Sequence, residues 1–244
     1  MSVARAEDLR FPAAGGFEML AHLARPDAGD RPWPGVIVIH EVFGLNDDIR
    51  RIAGRFAGAG YVALAPNLLD RAPKPICILR AMRDLRRGTG GAFDDLEAAR
   101  AWLAARDDVD ASRVGVAGFC MGGGFALLFA VTAPVGATAP FYGDVPKRAD
   151  DLRGVAPVCA SFGARDRIFG PKARRLERHL AELGVPHDVK VYAEAGHSFM
   201  SDHEPGGILK VLGPLIPMHA GFHGPSAEDA WQRVLRFFGE HLGR

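Results

Sequence analysis

The sequence predicts an α/β fold, with a mostly parallel central sheet and helices on both of its faces. Three observations predict it. Short apolar runs alternate with segments whose apolar residues recur at helical spacing. Val36 to His40 (VIVIH) is apolar up to its last residue, as a strand covered on both faces must be. No charged residue occurs from Val114 to Gly143, yet glycines and prolines interrupt this stretch too often for a membrane span. Strand, tight turn, buried helix and buried strand account for it better.

The elements follow in order. Phe17 to Ala24 reads as an edge strand. Pro32-Trp33-Pro34-Gly35 reads as a turn into the Val36–His40 strand. Asn46, Asp47 and Asp48 are helix starters, and Ile49, Ile52, Phe56 and Ala57 give the helix its apolar stripe. Gly58 and Gly60 end it, and Tyr61 to Ala65 is the next strand. Ile78, Met82 and Leu85 mark a short helix, and Phe93 to Ala105 a stronger one. Arg113 to Ala117 is a strand, Met121 to Val131 a helix and Val135 to Phe141 a strand. Ala156 to Phe162 is a strand, Pro171 to Leu183 a helix and Asp188 to Ala193 a strand. Ser226 and Glu228 form a capping-type start to a last helix that reaches Leu242.

No repeat and no linker divides the 244 residues, so residues 1–244 read as one domain. Hydrophobic residues at 48% and charged residues at 24% are ordinary for a globular chain, which excludes disordered and low-complexity classes. A net charge of +1 leaves no electrostatic footprint for nucleic acid or an anionic membrane. Cys77, Cys120 and Cys159 are too few and too scattered for a disulfide framework or a paired zinc site. Met1 to Arg10 lacks the apolar run of a signal peptide. A reducing, cytoplasmic location is expected, with the chain a monomer or homodimer.

The most informative stretch is Val114 to Gly124. An apolar strand enters Gly118-Phe119-Cys120-Met121-Gly122 and continues as an apolar helix. This is the Gly-x-Ser-x-Gly nucleophile elbow of α/β-hydrolases with Cys in place of Ser. The turn is sharp, so the positions two before and two after the nucleophile must lack a Cβ. The N-terminus of the following helix favours a thiolate and offers N–H groups to an oxyanion. The alternative, a buried structural Cys in a glycine-rich turn, does not call for this strand-turn-helix context. Neither a dinucleotide loop nor a P-loop fits the glycine spacing.

An elbow predicts an acid after a later strand and then a histidine, in that order. Asp166 follows the Ala156–Phe162 strand, and His197 follows the Asp188–Ala193 strand. His197 would take the thiol proton and later activate water, and Asp166 would orient His197. Asp144 and Asp150 are rival acids one strand too early. His203, His219 and His223, with Asp202 and Glu204, match no metal-ligand motif, so neither metal nor organic cofactor is expected. The loop after VIVIH takes the usual place of the second oxyanion donor, which makes the backbone N–H groups of Val42 and Met121 the candidates. Glu41 stands out there, because a carboxylate in an apolar loop mouth is costly unless paired.

These residues resemble the dienelactone hydrolase family. The resemblance rests on His40-Glu41-Val42-Phe43-Gly44-Leu45, Gly118-Phe119-Cys120-Met121-Gly122-Gly123, Phe141-Tyr142-Gly143, Gly163-Ala164-Arg165-Asp166, Gly196-His197-Ser198-Phe199-Met200 and Ala230-Trp231-Gln232-Arg233. It spans roughly residues 15 to 242. It implies a Cys120-His197-Asp166 triad that opens an enol-lactone through a thioester. It also implies that Glu41 modulates the resting thiol, and that the partner is a small-molecule ester or lactone.

The chain departs from the family pattern twice. Family members that take dienelactone hold its carboxylate with arginines, one of them four residues after the catalytic His, where this chain has Ser201. Arg80, Arg83 and Arg87 are candidates to replace it, and Phe43, Tyr142 and Phe199 are further substrate-binding candidates. The apolar segment 206–224 is either a lid or a packing or dimer contact. A general carboxylesterase or thioesterase acting on a less polar substrate, and a non-catalytic ligand-binding module, are the competing functions.

Overall fold

The structure is a computed structural model that describes residues 5–202 and 217–243. Eight strands form one sheet in the order β1-β2-β4-β3-β5-β6-β7-β8. They are β1 (Arg5–Pro12), β2 (Glu18–Arg25), β3 (Trp33–Ile39), β4 (Val62–Pro66), β5 (Val109–Phe119), β6 (Ala137–Phe141), β7 (Val158–Gly163) and β8 (His187–Tyr192). From β4 to β8 all neighbours pair in parallel. The β1–β2 and β2–β4 pairs are antiparallel.

Among the described residues six helices cover the sheet: α1 (Asp47–Gly58), α2 (Lys74–Arg87), α3 (Gly91–Ala104), α4 (Met121–Thr132), α5 (Lys172–Glu182) and α6 (Gly224–Leu242). Alternation along the strands sends successive side chains to opposite faces. Ile37 and Ile39 join Leu85, Leu96, Phe125 and Leu176 under α2, α3, α4 and α5. Val36 and Val38 join Ile49, Phe56, Trp231 and Phe238 under α1 and α6. With both faces covered, the central strands bury every residue, which is why VIVIH and the Val114–Gly143 stretch carry no charge. Among the described residues no helix is long and apolar enough to cross a membrane.

Three sequence expectations need correction. The Phe17–Ala24 strand is not the edge: β2 lies between β4 and β1. β1 was hidden because its residues are mostly exposed and charged, and only Phe11 is buried. Such a strand shows no apolar run, and its charges guard the open edge. Trp33, Pro34 and Gly35 belong to β3 rather than to a turn, and Trp33 pairs with Val109 of a β5 longer than its apolar part. The last helix begins at Gly224 with His223 as its cap residue. Ser226 lies inside the helix and bonds His223 Nδ1 at 2.8 Å, and Glu228 pairs with Arg55 at 2.7 Å instead of closing a capping box.

Candidate active site

Three loops at the carboxyl ends of β5, β7 and β8 meet over the sheet, where open α/β sheets form their sites. At the first, Cys120 has φ 54° and ψ −114° between β5 and α4. A Cβ at Gly118 would run into the Gly122 carbonyl, and one at Gly122 into the Ile39 carbonyl, so the strained turn needs both glycines. The Cys120 N–H donates to the Phe141 carbonyl at 3.1 Å, which ties the turn to β6. Cys120 is half-buried, whereas Cys77 and Cys159 are buried. Burial pushes the Cys159 thiol up to about 12, as suits a packing residue in mid-strand.

The loops after β7 and β8 press together at Gly163 and Gly196. A Cβ on Gly163 would meet the Ala195 carbonyl at 2.5 Å. This contact brings Asp166, fully buried, to His197, which is 2% exposed. Asp166 Oδ1 accepts from the N–H groups of Ile168 and Phe169 at 3.0 Å each, and Oδ2 accepts from His197 Nδ1 at 2.6 Å. Nδ1 therefore carries a proton. The imidazole lies between the rings of Tyr142 and Phe169, with centroids at 5.0 and 4.9 Å. Its Nε2 is buried, lies near the Cys120 sulfur and has no partner in hydrogen-bonding geometry. Burial pushes the imidazolium pKa down. The bond to Asp166 and the neighbouring Cys120 outweigh burial and raise it to about 10. The rival acids are engaged elsewhere, Asp144 by Lys172 at 2.6 Å and Asp150 by Arg153 at 2.6 Å.

A fourth loop, after β3, carries Glu41. Its turn is closed by Gly44 N–H donating to the Glu41 carbonyl at 3.1 Å. Val42 is half-buried within that turn, and Met121 opens α4, whose first N–H groups lack intrahelical acceptors. His40, fully buried, pins the loop. Leu68 N–H donates to its Nε2 at 3.0 Å, so Nδ1 bears the proton and donates to the Glu41 carbonyl at 2.6 Å. Burial pushes the His40 pKa down to about 4, keeping the ring neutral. Lys74 Nζ donates to the Phe43 carbonyl at 2.6 Å on the exposed side.

Glu41 is 2% exposed and does not bond the thiol. Its Oε1 accepts from Ser198 Oγ at 2.9 Å and Ser201 Oγ at 3.1 Å, while Oε2 has no partner. The Tyr142 hydroxyl, also buried, lies near Ser201 without a bond of good geometry. Its pKa is raised well above 10, first by burial and then by the nearby Glu41 charge. Phe199 is fully buried against Tyr142, with centroids 5.4 Å apart. Behind it, Arg51 donates to the Met200 carbonyl at 3.1 Å and to Asp48 at 2.6 Å. Cys120, Tyr142 and Ser198 are three of the four non-glycine residues with positive φ among the described residues. Strain of this kind concentrates at functional sites. The fourth is His219, whose carbonyl packs on Gly196.

The arginine candidates stand apart. Arg80 and Arg83 line a surface cleft of about 560 Å³ between α2 and α3, and Arg83 pairs with Asp84 at 3.1 Å. Arg87 lines another cleft, of about 740 Å³, beside α4 and α5. Neither cleft includes Cys120, Asp166 or His197. Segment 206–224 lies outside the described residues as far as 216. From 217 it runs beside the histidine: His197 N–H donates to the Met218 carbonyl at 2.8 Å and Gly221 N–H to the His197 carbonyl at 3.0 Å. Sequence reasoning missed Ser198 as a partner of Glu41 and His40 as a pin. A polar residue right after the histidine was the only signal for the first.

The family model described as "Dienelactone hydrolase family" matches residues 19–242. The chain belongs to this family. Its members are hydrolases of esters and lactones acting on small molecules. Curated relatives agree. One in Salmonella typhimurium, provisionally named a carboxymethylenebutenolidase, is 32% identical over 94% of this chain and 85% of its own length. Another of that name, in Synechocystis, is 32% identical over 92% of this chain and 93% of its own. Among solved structures, a provisionally named dienelactone hydrolase from Klebsiella pneumoniae superposes with TM-score 0.78 at 28% identity, covering 97% of this chain and 99% of that one. The dienelactone hydrolase-like promiscuous phosphotriesterase P91, from metagenomic libraries, gives TM-score 0.82 at 25% identity, covering 98% and 99%.

Proposed function

We propose that the chain hydrolyses an enol-lactone or activated ester through Cys120, His197 and Asp166. One observation carries this reading: a buried Asp166–His197 pair presents an unpartnered Nε2 beside a cysteine held on a strained elbow. His197 Nε2 holds the proton given up by the Cys120 thiol, and the thiolate sulfur attacks the carbonyl carbon. The N–H groups of Val42 and Met121 receive the oxyanion. The C–O bond then breaks, the leaving oxygen takes the proton from the imidazolium, and a thioester remains. Water gives a proton to His197, attacks the thioester and expels the thiolate, which recovers the proton. Asp166 holds the Nδ1–H tautomer throughout. Glu41 tunes the thiol through Tyr142 and the serines rather than by a direct bond. The free cysteines support a cytoplasmic location, and the shared sheet supports one unit across residues 1–244.

A general carboxylesterase is the second reading. It is favoured by Glu41 being held by two serine hydroxyls with no cation among the described residues. The test follows the ultraviolet absorbance of a dienelactone, with a short aryl ester beside it, for wild type and Cys120→Ala. Loss of the nucleophile is expected to cost roughly 10³ or more in rate. Turnover of the aryl ester alone, through Cys120, would select the second reading. Full activity of Cys120→Ala would overturn both.

A further inference from the structure

Charge around the thiol is unbalanced. Two carboxylates, Asp166 and Glu41, are buried there. His197 is the only group among the described residues that can bring a positive charge into contact with the thiol, and Asp166 at 2.6 Å offsets it. Moving the shared proton between Cys120 and His197 leaves the total unchanged. Arg51, behind the wall, spends its charge on Asp48 at 2.6 Å. The N-terminus of α4 adds about half a positive charge. Lys74 adds one more, but on the exposed rim, where solvent screens it. Among the described residues Glu41 therefore has no compensating cation bonded to it. Its Oε1 accepts from two neutral hydroxyls, and its Oε2 is unsatisfied.

We infer that this site selects acyl groups without negative charge, with Glu41 as the residue that rejects a carboxylate and Ser201 as the neutral partner that leaves it free to do so. The inference rests on the reading of Cys120 as the reacting group. At the effective dielectric of protein sites, two like charges ~6 Å apart disfavour binding by more than tenfold. A neutral acyl chain meets no such barrier. The Tyr142 hydroxyl can complement its polar atoms, and Phe199 backs that wall.

Iodoacetamide and iodoacetate differ in charge and little in shape. Their rates of alkylating Cys120, followed by mass spectrometry of its peptide, read the selection without turnover. The ratio is compared with that of a small free thiol such as 2-mercaptoethanol. Wild type is expected to disfavour iodoacetate at least tenfold more than the free thiol does. The near-isosteric Glu41→Gln should return the ratio to within about threefold of the free thiol, and Ser201→Arg should invert it. A wild-type ratio equal to that of the free thiol, or one unmoved by Glu41→Gln, overturns the inference. Aryl esters with a neutral or an ω-carboxylate acyl chain give the second arm. Turnover of both through Cys120 at equal efficiency sinks the charge selection and leaves the proposed hydrolase standing. Charge-selective alkylation without turnover of any ester does the reverse.

Discussion

Two buried carboxylates flank the same histidine loop and are treated in opposite ways. Asp166 has donors on both oxygens: two backbone N–H groups on one and the His197 ring on the other. Glu41 has two serine donors on one oxygen and nothing on the other. A saturated carboxylate is a fixed part. An unsatisfied one keeps a cost of order 1–3 kcal/mol that a ligand or a neutral replacement can relieve. In the proposed site the first kind would orient a base, and the second would discriminate among ligands.

Substitutions can break this comparison. The largest effect is expected for Asp166→Asn, which keeps the shape but favours the wrong tautomer of His197. In serine-hydrolase triads that change costs about 10⁴ in kcat, and a drop of less than tenfold on the aryl ester would remove Asp166 from the proposed triad. In denaturant unfolding, Asp166→Ala should cost about 3–5 kcal/mol, the usual result of stripping one partner from a buried pair. Glu41→Gln should stay within about 1 kcal/mol of wild type, and comparable losses at both positions would erase the distinction.

The pH dependence separates the two sides again. The folded-state pKa of His197, about 10, lies above its ordinary 6.5. Its contribution to stability is thus fully present below pH 6.5 and is lost as pH rises through 10. Asp166→Asn should flatten that slope. His40, which holds the Glu41 loop, shifts the other way, to about 4. Between pH 6.5 and 4 the unfolded chain takes up a proton that the folded chain refuses. Folding should weaken by about 3 kcal/mol over that window, and His40→Gln, which can still accept from Leu68, should abolish the loss. Urea midpoints at pH 4 and 6.5 decide it. The smallest effect, about 1 kcal/mol or less, belongs to Arg51→Gln, which releases the Met200 carbonyl behind Ser201.

The Asp166 side was legible in the sequence because sterics wrote it there. Gly118 and Gly122 bracket Cys120, and Gly163 and Gly196 sit where two loops collide, so spacing and chain order pointed to Cys120, Asp166 and His197. The Glu41 side was only half legible. A lone carboxylate after an apolar strand announced itself. Its partners Ser198 and Ser201 stand 157 and 160 positions away and look like ordinary loop polar residues. The parallel core was equally plain from its unbroken apolar runs. β1 was not, since a charged edge strand shares its composition with a surface tail.

The clasp on His197 is made of main-chain groups alone: its amide on the carbonyl of Met218, and the amide of Gly221 on its carbonyl. Bonds of that kind are indifferent to most side-chain replacements along either strand of the clasp. Ser198 and Ser201, one and four residues further on, act through their hydroxyls and are fully exposed to mutation. Descendants of this chain can thus change the hydroxyls that hold Glu41, one codon at a time, while the position of His197 is inherited in place.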